Sequence, residues 1–193
     1  MKRNAFTFIE LIIGITIFTV VIVTVYSAFN MGIKAWRRGQ TEKSLQRIRL
    51  AFLKIDKELK DTFFFSEISF KGTSDQMEFP LTISGEDREK LYKITYTMDT
   101  SEDPGLKELT RKEIERSKDT EEPAEEKTRK LLTSIKSESV GFEYTGPSQD
   151  FEWQKTWDGR AFEELPSAVR VSLQMDDSEE IYSKVIFLQQ GER

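Results

Sequence analysis

The chain has 193 residues, with 29 Lys and Arg against 34 Asp and Glu and a formal net charge of −5. It contains neither cysteine nor histidine, which removes disulfide frameworks, thiolate or imidazole metal sites and the common catalytic triads. The net acidic, mixed charge also argues against a nucleic-acid binder, which needs a basic face to neutralise phosphates.

Residues 1–5, MKRNA, are a short polar lead-in with Lys2 and Arg3. An apolar run then extends over 6–29, broken only by Glu10, Gly14, a few Thr, Tyr26 and Ser27. About 20 residues of helix cross a hydrocarbon core of about 30 Å, so the run reads as a transmembrane segment. It is too long for the apolar core of a cleaved secretory signal. Lys2 and Arg3 on one side and Lys34, Arg37 and Arg38 on the other leave orientation undecided by charge. A carboxylate at Glu10 is costly at membrane depth, about 2.5–3.5 kcal/mol at the centre of an inserted helix. Four explanations stand: an accident at headgroup level, a pair within the helix, a proton or ion site, or a contact kept for another chain.

Beyond residue 30 the composition changes to that of a soluble domain, 30–193, long enough for its own core. Leu45, Ile48, Phe52, Ile55 and Leu59 recur at helical spacing, with Lys43, Arg47, Arg49, Lys54, Lys57 and Glu58 on the other side. The stripe predicts a helix packed on the domain's own sheet, continuous with the membrane helix from about residue 6 to about residue 61. Gly32 and Gly39 allow either a kink or an unbroken helix. Strands are predicted at 63–70 (FFFSEISF), 76–83 and 91–98, while 106–115 fits helix or strand, with strand preferred for its position between two loops. Alternation marks further strands through Val140, Phe142 and Tyr144, through Val169, Val171, Leu173 and Met175, and through Val185 and Phe187. The charged run 117–130 reads as a mobile solvated loop. Acidic clusters near Gly85 and Asp99 lack calcium-loop spacing, and no cofactor or metal site is expected. Trp153 and Trp157, four apart in DFEWQKTWDG, read as packing residues, with a partner-binding surface as the functional alternative.

AFTFIELIIGITIF resembles the leader junction and first helix of type IV pilins and pseudopilins. The resemblance implies cleavage between Ala5 and Phe6, with 1–5 as leader peptide, N-methylation of Phe6, and Glu10 as fifth mature residue and assembly contact. Ala5 stands where that family normally has Gly. LLTSIKSESVGFEYTG, WQKTW and LPSAVRVSL are similar to the C-terminal half of J-type minor pseudopilins of type II secretion. Leu131, Leu132, Phe142, Tyr144, Trp153, Trp157, Leu165, Pro166, Ala168 and Val169 stand in matching order, and Trp36 also fits. What this implies is an α+β, pilin-like fold: a long N-terminal helix, half membrane-spanning and half amphipathic, on antiparallel sheets. It also implies a non-enzymatic part at the tip of a secretion pseudopilus, in filament initiation and protein export. Implied partners are minor pseudopilins of the I, K and H types, the major pseudopilin, a prepilin peptidase, the inner-membrane assembly platform and secreted substrates. The implied location is the inner membrane, single-pass, with the domain in the periplasm. The alternatives are a minor type IV pilin for adhesion, motility or DNA uptake, and a single-span enzyme or sensor using carboxylates.

Overall fold

A computed structural model describes residues 7–84, 89–116, 126–139, 141–146, 152–162 and 164–189. The chain divides into two units, Met1–Lys43 and Ser44–Arg193. Ala5 and Phe6, the expected processing site, lie outside the described residues. Helix α1 runs from Phe8 to Lys60, passing Gly32 and Gly39 without a break. Within the first unit it is long and apolar enough over Phe8–Trp36 to cross a membrane, seven residues past the expected end at 29. Its apolar side chains are exposed from Phe8 to Trp36, apart from the half-buried Ile33. The hydroxyls of Thr16, Thr19 and Thr24 donate to the carbonyls of Ile12, Ile15 and Val20, each at 2.8 Å. Each thus satisfies its own polar group inside an apolar stretch, which lipid requires.

In the second unit the end of α1 buries Ile48, Ala51, Ile55 and Leu59, with Phe52 partly buried beside them. The predicted stripe is therefore the face that enters the core. Glu58, assigned by spacing to the polar side, is buried as well. A six-stranded sheet follows the order β5-β4-β3-β2-β1-β7. Its strands are β1 (Lys71–Gly72), β2 (Gln76–Ser84), β3 (Glu89–Thr100), β4 (Leu106–Glu115), β5 (Glu126–Lys136) and β7 (Trp157–Asp158). A three-stranded sheet, β6-β8-β9, is built from β6 (Gly141–Thr145), β8 (Ala168–Gln174) and β9 (Ile181–Phe187). A short helix, α2 (Gly159–Phe162), follows β7. All strand pairs are antiparallel, so the class is α+β as the sequence predicts.

The core is an aromatic series. Phe70 stacks on Phe79 at 5.9 Å and Phe79 on Tyr96 at 6.1 Å, while Tyr144 meets Phe70 edge-on at 5.9 Å. Tyr144 belongs to the smaller sheet, yet its hydroxyl donates to the carbonyls of Thr73 (3.0 Å) and Gln76 (3.3 Å) beside the larger one. That reach is open only because residue 72 is glycine. A Cβ there would stand 2.1 Å from Tyr144 Cζ.

Three expectations are corrected. The segment 63–70 is not a strand: three consecutive phenylalanines give no alternation. The chain instead ties to β2 at once, through the Thr62–Leu81 bridge and a 2.8 Å hydrogen bond from Thr62 Oγ1 to the Pro80 carbonyl. Of the loop expected at 117–130, residues 126–130 form the start of β5. No apolar side chain is needed there, because backbone pairing to β4 and ion pairs Lys112–Glu126 (2.7 Å) and Lys130–Glu108 (2.6 Å) carry the edge. Residues 117–125 lie outside the described residues. Finally, β9 exists but shows the opposite face: Val185 and Phe187 are exposed and Ile186 is buried. Period 2 fixes two faces without saying which turns inward. Here Lys184 on the inner face meets Asp56 of α1 at 3.3 Å.

Candidate functional site

The first described turn of α1 resolves the local chemistry of Glu10. Thr7 stands just before the helix and its carbonyl accepts from Leu11 N. Glu10 Oε2 accepts from the Thr7 backbone N–H and from Thr7 Oγ1, each at 2.9 Å. This is the Thr-x-x-Glu half of a capping box, in which the third helical residue covers the amide that opens the helix. The negative charge also faces the positive end of the helix dipole. Within the single subunit the Glu10 carboxylate is thus engaged at the start of its own helix. Oε1 makes no hydrogen bond to a described residue and points to no metal ligand set.

At the other end of α1, Glu58 joins the helix to the larger sheet. Its Oε2 accepts from the Tyr96 hydroxyl at 2.6 Å and from Arg111 Nε at 3.0 Å, while Oε1 pairs with Lys54 at 3.2 Å. Arg111 also pairs with Glu113. Burial, and then the Glu58 carboxylate, push the Tyr96 hydroxyl well above its ordinary value, so it is a permanent donor. Every charge in this buried group has a partner, the condition under which burying ions is tolerated.

The two tryptophans are not one surface. Trp157 is buried, 6% exposed, with Nε1 donating to the Glu164 carbonyl at 3.4 Å. Trp153 is half-buried under the guanidinium of Arg170, whose Cζ lies 3.9 Å from the ring centroid. Arg170 is held in turn by Glu143 at 2.9 Å. A cation stacked on an aromatic face is favourable by about 0.5–1 kcal/mol at exposed sites. The sequence reading missed Arg170 and Glu143, although their positions as facing polar residues of paired strands β6 and β8 were the available signal. Trp157 also walls an open cleft of about 570 Å³ with Lys71, Gln76, Gln154 and Asp158. Among the described residues no cluster of three or more His, Cys, Asp or Glu is arranged to hold a metal ion.

A protein-family model described as type II secretion system, protein J, matches residues 56–187. A second, described as the prokaryotic N-terminal methylation motif, matches residues 1–26. No curated protein and no solved structure matches the chain.

Proposed function

We infer, from the premise that the chain belongs to the type II secretion system protein J family, that it stands at the tip of a pseudopilus and helps to start it. As a member it is a minor pseudopilin of type II secretion, assembling with other pseudopilins and anchored in a membrane by its N-terminal helix. The finer reading is as follows. A prepilin peptidase cuts between Ala5 and Phe6, and Phe6 is N-methylated. The domain faces the periplasm, and minor subunits of the I, K and H types, with the major pseudopilin, are the partners at the tip. The inner-membrane platform extracts the subunit, and the part played is structural, without catalysis.

The observation that supports this reading best is a helix, Phe8–Lys60, that opens on a Thr7–Glu10 cap and continues as an exposed apolar stretch. Such a stretch is stable either in lipid or among like helices of other subunits. Transfer between the two exchanges one apolar neighbour for another, so the Glu10 carboxylate supplies register where packing alone supplies little. Its partner in the filament is the free amine that cleavage leaves on Phe6 of a neighbouring subunit, a pair that serves register more than net stability. The test joins two measurements. Mass spectrometry of protein from cells containing the peptidase should show an N-terminus at methylated Phe6; intact Met1 would count against the reading. Glu10→Ala should remain in the membrane fraction while being lost from the complex that co-purifies with the other pseudopilins. Normal incorporation would remove the assigned role of Glu10. The family match over the soluble region favours this reading over the minor type IV pilin.

A further inference from the structure

A second cleft, of about 360 Å³, opens on the larger sheet and shares Glu78 with the cleft beside Trp157. It is lined by Ile68, Ser69, Lys93 of β3, Arg116 just past β4 and Arg160 of α2, together with Glu67, Glu78 and Ile114. Three observations converge there. Arg116 and Arg160 are exposed and make no ion pair with any described residue. In a chain of net charge −5, two exposed guanidiniums with no ion pair among the described residues stand out on one cleft. Ser69 is only 4% exposed, and its buried hydroxyl has no hydrogen-bond partner among the described residues. Lastly, Lys93 is only loosely engaged, with Glu78 at 3.7 Å.

We propose that this cleft binds a carboxylate side chain presented by an extended acidic segment of another protein. Guanidinium forks match planar carboxylates with paired hydrogen bonds, and a turn of the Ser69 side chain would bring its hydroxyl in as a further donor. Glu67 and Glu78 on the rim leave three cations against two carboxylates, one unit of positive charge. That balance suits a singly charged carboxylate and disfavours a doubly charged phosphate. The aliphatic walls of Ile68 and Ile114 accommodate the methylenes of a Glu or Asp side chain. The cleft is a recognition site additional to the helix-mediated assembly proposed above, and it does not depend on that reading.

The test uses the full chain in neutral detergent and a fluorescein-labelled peptide of alternating alanine and glutamate, read by anisotropy. Saturable binding is expected, weakened at high salt and absent for the alanine–glutamine counterpart. Arg116→Gln and Arg160→Gln should each weaken it about tenfold, as loss of a charged hydrogen bond predicts. Lys57→Gln, on the exposed side of α1, should leave it unchanged. Equal binding of the glutamine peptide, or unchanged affinity in both arginine variants, overturns the proposal. So does competition by inorganic phosphate stronger than by acetate, which would reassign the ligand. Binding seen only after deletion of residues 117–125 would also overturn it, since the carboxylate would then come from the same chain. Because the assay needs no assembled filament, a negative result leaves the assembly role of Glu10 standing.

Discussion

Two residue pairs carry more of the fold than their size suggests. At Gly72 even a methyl group meets the Tyr144 ring, a rigid aromatic braced by two hydrogen bonds and by Phe70. Overpacking of this kind costs about 1–3 kcal/mol or more. Gly72→Ala should therefore lose about 3 kcal/mol of stability in urea unfolding, whereas alanine at the open positions Gly14 or Gly32 should not destabilise. The second pair is Glu58 with Arg111. Removing one member of a buried ion pair strands the other, at a cost of about 3–5 kcal/mol. Glu58→Ala should reach that range, and the double replacement Glu58→Met with Arg111→Met should recover most of the loss. If single and double variants prove equally unstable, the pair is not the unit described above. Neither pair was readable from sequence. Glu58 falls on the polar side of a helical wheel, and only the position of β4 beside β3 brings Arg111 to it.

Among the elements, β9 shows how a strand is pinned to a helix by charge. Burial pushes the Asp56 carboxyl up, but hydrogen bonds from Lys60 and Lys184 outweigh it and hold the group below its ordinary value of 3.8. A carboxyl lowered by folding contributes stability that is complete above the unfolded value and fades as the pH falls through the folded one. Unfolding midpoints should thus decline below about pH 4, and Lys184→Met should flatten that decline while removing the strand's tie to α1. An unaltered acid profile in the variant would show that Lys60 alone sets the Asp56 proton. The elements themselves were largely legible: α1, β2, β3, β6 and β8 follow from periodicity and turn residues, and β4 from its position between two loops. What failed was what local pattern cannot encode. The phenylalanine run lacked a period, the inner face of β9 depended on Asp56 of a distant helix, and the start of β5 is held by its neighbour rather than by burial. Most of the residues that carried the J-type resemblance are core: Leu132, Phe142, Tyr144, Trp157, Leu165, Ala168 and Val169 are all buried. They identified the fold, and for that reason they said little about which surface meets a partner.

At the scale of the whole molecule, the buried hydrophobic set begins at Ile48 and, among the described residues, draws nothing from the first unit. A fragment of residues 44–193 should fold in water without detergent and melt cooperatively, as single compact domains do. Failure to fold would mean that the apolar helix contributes to the domain's stability. Within the domain the two sheets are keyed to each other by Tyr144, which hydrogen-bonds in one and is edged against an aromatic of the other. This has a consequence for descent. A larger residue at position 72 is tolerable only in a chain that has already given up the tyrosine ring at 144, and a tyrosine gained at 144 presupposes glycine at 72. The two positions are bound to an order of change, so relatives of this chain should carry them as a linked pair, and a relative with alanine at 72 facing tyrosine at 144 should be absent.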